Sequence, residues 1–185
     1  MMVAAVVGLS GVGKSTLISE VFRGVPLLHL QASTLIKSEL ERRSRQKYTS
    51  EDLRLGAVMD NQELLVAGFK HATRRALGLV VFDGHTLIDS KDGLLEIPAC
   101  VFADIGCDHM AVIIDEPAAI ALRRERDGKR YRPLHALATL AEHQEKALMA
   151  AQKIASDLSI PISVHPPSDR AGLEAVLIGL LQTQS

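Results

Sequence analysis

The sequence predicts an α/β fold, a five-stranded parallel sheet with helices on both faces, in three layers. Three observations carry this. Short apolar runs alternate with helix-forming segments along the whole chain, the pattern of a parallel sheet wrapped by its own crossovers. The first run, Met2–Val7, leads into Gly8-Leu9-Ser10-Gly11-Val12-Gly13-Lys14-Ser15-Thr16. That stretch fits G-x-x-x-x-G-K-S/T between a strand and a helix. A later run, Leu79–Phe82, is apolar throughout and ends in Asp83, at the carboxyl edge where ligands sit in open α/β sheets.

The elements follow in order. Strand one is Met2–Val7 and helix one Gly13–Phe22; strand two is Pro26–Leu30. Ser33 or Thr34 is placed to cap a helix running to about Arg43. Ser50-Glu51-Asp52 opens a second helical region with acidic residues in its first turn. Leu53, Leu64, Leu65, Phe69, Ala72 and Ala76 give that region an apolar stripe, with a break expected near Gly56 or Asp60. Strand three is Leu79–Phe82. An apolar stretch from Leu94 to Phe102, interrupted by Pro98, follows a loop at Lys91–Gly93. Strand four runs from His109 to Ile114 and ends at Asp115. Pro117 starts a helix to about Glu125. A long helix is expected from Leu134 to Leu158, strand five at Ile160–Val164, and a last helix, capped by Ser168-Asp169, to about Leu181. The chain reads as one domain over residues 1–185, with an acceptor-binding insert at about 31–77 and a lid at about 126–133.

The glycine-rich stretch carries specific chemistry. Gly8, Gly11 and Gly13 let the backbone turn tightly and bring N–H groups close to an anion. The following helix points its positive end at the same place. Lys14, in a loop expected to face solvent, suits the β- and γ-phosphates of a purine nucleoside triphosphate, and the Ser15 hydroxyl suits Mg²⁺. Ser10, Val12 and Thr16 complete the cradle. The fold expected around such a motif is the P-loop NTPase three-layer fold with a short mobile lid.

Composition excludes several classes. With 47% hydrophobic and 23% charged residues in 185, the chain is an ordinary globular protein. Net charge is −1 and aromatics are 3%, so there is neither bulk attraction to nucleic acid nor a set of stacking platforms for single strands. No run reaches the length of a membrane helix, and Met1 to Val7 is too short and lacks the basic leader of a signal peptide. Cys100 and Cys107 are expected reduced, buried and inert, and their spacing with His109 matches no zinc pattern. The expected setting is cytoplasmic.

Two further constellations stand out. Asp83, in Asp83-Gly84-His85-Thr86, is placed to hold Mg²⁺ directly or through water, and His85 to contact an acceptor or the γ-phosphate. Arg123, Arg124, Arg126, Lys129, Arg130 and Arg132 crowd one short stretch. Arginines stabilise the charge that develops in phosphoryl transfer, and a basic loop can close over nucleotides. Arg42, Arg43, Arg45 and Lys47 form a second basic cluster, and Arg54 is the better single candidate for an acceptor phosphate.

In these residues the chain resembles an archaeal-type adenylate kinase of the P-loop nucleoside-monophosphate kinase group. The resemblance rests on Val7–Thr16, Ala32–Ile36, Glu51–Leu55, Val81–Thr86, Arg123–Arg132 and Glu142-His143-Gln144. It implies ATP:AMP phosphotransfer with Mg²⁺. Gly8 to Thr16 would bind the ATP phosphates, Arg54 the AMP phosphate, and Thr34 would lie near AMP. Asp83 would orient the magnesium shell. Arg124, Arg130 and Arg132 would clamp the transferring phosphoryl group. Ser10 stands where that family usually has proline, and residues 42–47 have no clear counterpart, so the acceptor base stays open. A P-loop kinase for another small acceptor, or an ATP-dependent switch or RNA-binding ATPase, are the alternatives.

Overall fold

The computed structural model describes residues 1–44, 58–90, 93–127 and 135–183. Five parallel strands form one sheet: β1 (Met2–Val7), β2 (Leu27–Gln31), β3 (Leu79–Asp83), β6 (His109–Ile113) and β7 (Ile162–His165), in the order β2-β3-β1-β6-β7. The chain crosses over between them through α1 (Lys14–Val21), α2 (Ala32–Ser44), α3 (Val58–Thr73), α4 (Ala99–Asp104), α5 (Pro117–Arg126) and α6 (Leu137–Asp157). It ends on α7 (Arg170–Gln182). The expected architecture is what forms.

Alternation along buried strands builds the layers. Val3, Ala5 and Val7 of β1 join one core with Val80, Phe82, Met110 and Val112, under Leu35, Leu65, Phe69 and Phe102 from α2, α3 and α4. Ala4 and Val6 join the other with Leu79, Val81, Ala111 and Ile113, under Leu17 and Ile18 of α1, Ile120 of α5, and Leu173 and Leu177 of α7. Successive side chains point to opposite faces, so a run apolar at every position needs helices on both sides. Phe82 meets Phe69 and Phe102 edge-on, with ring centroids 6.1 Å and 6.3 Å away, the arrangement that ring quadrupoles prefer.

Several boundaries differ from expectation, each for a local reason. Gly13 is the cap of α1 at φ 108°, a left-handed backbone, so the helix starts at Lys14. Pairing with β3 sets β2, from Leu27 opposite Leu79 to Gln31 opposite Asp83. Helix α2 follows at once from Ala32, so Ser33 and Thr34 sit inside its first turn and cap nothing. In α3, Leu64, Leu65 and Phe69 are buried as expected, while Ala72 is exposed; Leu53 and Gly56 lie outside the described residues. Strand β7 starts after Pro161, whose carbonyl accepts from the Met110 amide. Asp169 does cap the last helix, accepting from the Gly172 amide at 2.9 Å.

The stretch from Leu94 to Phe102 divides in two. Gly93–Glu96 forms β5, an antiparallel hairpin with β4 (Leu87–Ser90), and Pro98 caps α4. This small second sheet was not anticipated, because four-residue strands give too little alternation to read. Cys100 is exposed on α4, contrary to expectation, because Val101 and Phe102 take the inward face. Cys107 is buried, and that burial pushes its thiol up to about 11.

Helices α2 and α3 meet where Gly68 lies against α2. A Cβ there would stand 2.7 Å from the Leu35 carbonyl oxygen. Gly68→Ala is therefore expected to force the two helices apart and to cost about 1–3 kcal/mol, outweighing alanine's better helix propensity. Urea denaturation of both forms measures this; equal midpoints would contradict it.

Candidate phosphate and metal-binding site

The glycine-rich loop joins β1 to α1 at the carboxyl edge of the sheet. Gly8, Gly11 and Gly13 have φ of 149°, 88° and 108°. Gly8 is buried, and a Cβ on it would run into the Ile113 carbonyl oxygen of the neighbouring strand. Only glycine fits that conformation and that approach. Val12 is fully buried in the core below, which anchors the loop from beneath. Ser15 and Thr16 are exposed at the start of α1.

Lys14 is not solvent-facing as expected. It is buried, and its Nζ donates to the carbonyls of Gly8 (3.0 Å) and Leu9 (3.2 Å). The loop curls around its own lysine, so the cation sits inside a ring of backbone.

The Ser15 hydroxyl and the Asp83 carboxylate, paired on sequence grounds for magnesium, are in contact. Ser15 Oγ donates to Asp83 Oδ2 at 2.7 Å. Sequence reasoning missed two neighbours on β2. Gln31 Nε2 donates to both Ser15 Oγ and Asp83 Oδ2 at 3.3 Å, and His29 Nε2 stands 3.6 Å from Asp83 Oδ2. The register that sets Gln31 opposite Asp83 is the signal, and it exists only once the strands pair. Burial works to raise the pKa of Asp83. His29, the Lys14 ammonium, the Ser15 hydroxyl and His85 outweigh it and hold the carboxyl at about 2. Asp83 is thus an ionised, 4% exposed carboxylate at a strand end.

His85 also reaches the loop. Its Nδ1 lies 2.7 Å from the Gly8 carbonyl, which can only accept, so Nδ1 carries the proton. Two adjacent arginines grip the loop from α5. Arg124 Nε donates to the Ser10 carbonyl at 2.9 Å, and Arg123 donates to the Val12 carbonyl at 3.2 Å and pairs with Asp115 at 2.5 Å. Gln144 of α6 fixes Asp115 in turn, bonding both its amide and its carbonyl at 2.9 Å. Arg123 was read only as part of the basic stretch, and Asp115 and Gln144 were given no site role; their contacts appear only when α5 and α6 fold over the loop.

Not every expected residue joins. Thr34 is exposed on α2. Arg54, Arg130 and Arg132 lie outside the described residues, as does most of the expected lid. Beside His85, an apolar cavity of about 50 Å³ opens between α2, α3, α4 and the end of β3, with Ala32, Ile36, Gln62, Leu65 and Phe82 in its wall.

The residues fit a bound triphosphate and its magnesium. The loop keeps a cradle that a side chain at Gly8 would fill. Ser15 and Asp83 offer adjacent hard oxygen donors, the type Mg²⁺ takes.

Comparison with known proteins agrees with the fold. A family model described as AAA domain matches residues 7–141. An adenylate kinase from Thermoplasma acidophilum is 25% identical over 170 residues, covering 87% of this chain and 88% of that one. Among solved structures, a shikimate kinase from Bacteroides thetaiotaomicron aligns with a TM-score of 0.53 at 17% identity, covering 99% of this chain and 98% of that one. A tunicamycin resistance protein from Deinococcus radiodurans aligns at 0.52 and 14% identity, covering 86% and 96%. No helix among the described residues is long and apolar enough to cross a membrane.

Proposed function

The chain belongs to the AAA domain family, and from that premise we propose that it is a nucleoside-monophosphate kinase, transferring the γ-phosphoryl group of Mg-ATP to AMP. The observation that carries this reading is the Ser15–Asp83 pair at 2.7 Å beside a buried Lys14 in a glycine cradle. A backbone anion site, a point cation and two oxygen donors for a hard cation are the parts phosphoryl transfer needs.

Each residue has a task in this scheme. The amides of the 8–16 loop hold the β- and γ-phosphates. Lys14 exchanges its carbonyl partners for phosphate oxygens. Ser15 and Asp83 hold Mg²⁺, which when bound neutralises charge developing on the phosphoryl oxygens. Arg124, which donates to the Ser10 carbonyl of the loop, is assigned to clamp the transferring group together with Arg130 and Arg132, all three from sequence. His85, bridging the loop and the cavity wall, positions the acceptor against the γ-phosphate. Arg54 takes the acceptor's own phosphate and Thr34 lies near it. No side chain forms a covalent intermediate; positioning and electrostatics do the work. A cytoplasmic setting belongs to this reading, since free thiols and ATP both suit a reducing, nucleotide-rich compartment.

Similarity to an adenylate kinase over most of both chains supports AMP as acceptor. A different small-molecule acceptor is the second reading, favoured by the cavity beside His85, whose lining among the described residues includes no lysine or arginine. A coupled assay with Mg-ATP against a panel of nucleoside monophosphates, with an ATP-only control, tests both. ADP formation dependent on AMP is expected. Turnover with another acceptor alone would replace AMP and keep the mechanism. ATP hydrolysis without turnover of any monophosphate would remove the nucleoside-monophosphate reading and leave an acceptor of another class or an ATP-dependent switch.

A further inference from the structure

The β4–β5 hairpin and the start of α6 bring together three side chains that phosphoryl transfer does not use. Asp89 lies on β4, His135 just before α6, and His143 within α6. One donor atom from each lies within 4.8 Å of the other two. His135 Nε2 and Asp89 Oδ2 are 2.6 Å apart, and the His135 and His143 rings meet edge-on with centroids 4.9 Å apart. His143 is 8% exposed, and its Nδ1 is buried with no hydrogen-bond partner.

An Asp–His ion pair accounts for two of these residues and leaves the third unexplained. A buried ring nitrogen without a partner calls for a bound species to satisfy it. Two imidazoles and a carboxylate on separate elements are the donors a borderline-soft divalent ion takes. We propose that Asp89, His135 and His143 form a binding site for a first-row divalent transition metal, with Zn²⁺ the best match. Bonds of ~2.0–2.2 Å in a tetrahedron place donor atoms roughly 3.4 Å apart. The Asp89–His135 pair would open by under about 1 Å, and His143, whose donor atom lies within 4.8 Å of the other two, would draw in by up to about 1.4 Å, both within reach of side-chain torsions. Three protein ligands leave a fourth position for water. The nitrogen-rich donor set discriminates against Mg²⁺, which prefers oxygen alone, so this site and the Ser15–Asp83 pair would sort two metals on one chain. The ion would join the hairpin to α6, which already touch through Leu87, Leu94 and Ala147 and through the Thr86 hydroxyl on the Ala147 carbonyl at 2.8 Å.

The test uses the full-length protein, stripped of metal, held in excess Mg²⁺ and titrated with Zn²⁺ against a chromogenic chelator. The expected result is one tightly held Zn²⁺ per chain and a rise in melting temperature on loading. Asp89→Asn and His135→Gln should each weaken Zn²⁺ by at least about tenfold and abolish the rise, while His71→Ala, at an exposed histidine elsewhere, changes neither. Co²⁺ loading should give the visible absorption of a four-coordinate ion, lost in His143→Ala. Should that buried variant fail to fold, the other two carry the result. Equal Zn²⁺ affinity in the wild type, Asp89→Asn and His135→Gln, or equal loss in His71→Ala, would overturn the proposal.

Discussion

Lys14→Ala is expected to lower phosphotransfer turnover by at least about 10²–10³-fold, the range seen when one preorganised donor is removed from a developing charge. The argument is local. Lys14 is held within the loop by the carbonyls of Gly8 and Leu9, so its charge needs little motion to meet an incoming phosphate. Its burial adds a second effect. Removal takes one donor from each carbonyl, but Gly8 still accepts from His85 Nδ1 and Leu9 from the Val12 amide, so only about 0.5–1.5 kcal/mol of stability is lost as well. Turnover measured well below the variant's own melting temperature separates the two. A folded variant that turns over at the wild-type rate would end the phosphate-loop assignment.

Asp83→Asn should be nearly as damaging to rate and informative about metal. The substitution keeps the shape and removes the charge, so the Ser15 hydroxyl keeps an acceptor while Mg²⁺ loses its one anionic protein partner in this pair. A loss of about 10²-fold in kcat, partly recovered at high Mg²⁺, is the expected outcome. Because the Asp83 carboxyl titrates at about 2, it is ionised throughout the neutral range, and wild-type activity between pH 5 and pH 8 should show no ionisation from this group. A wild-type Mg²⁺ dependence in Asp83→Asn would remove the aspartate from the metal's surroundings.

The sheet was legible because its central strands, β1 and β3 as far as Phe82, are apolar at every position. Val80, Val81 and Phe82 could belong only to a layer covered on both faces, and Asp83 marks where that layer ends. The phosphate loop was legible because its residues are consecutive. The hairpin of β4 and β5 was not, since a four-residue strand such as Gly93–Glu96 carries no clear period. Nor could the sequence show Gln31 and His29 beside Asp83, or Arg123 on Asp115, because these contacts arise from strand register and from helices that meet only in three dimensions. Lys14 shows a subtler gap: the motif names the residue but not its burial, which depends on how the loop closes around it.

The two arginines of α5 hold the carbonyls of Ser10 and Val12 and so bear on affinity before any ligand arrives. A loop that had to be recruited from many shapes would bind in proportion to the fraction of time spent in the competent one. Here that fraction is set in advance by α5, and through Asp115 and Gln144 by α6. Nucleotide therefore meets a receptor whose ordering entropy was spent during folding. Substitutions at Gln144, remote from any phosphate, would surface as slower capture of ATP, with the chemistry of transfer left alone.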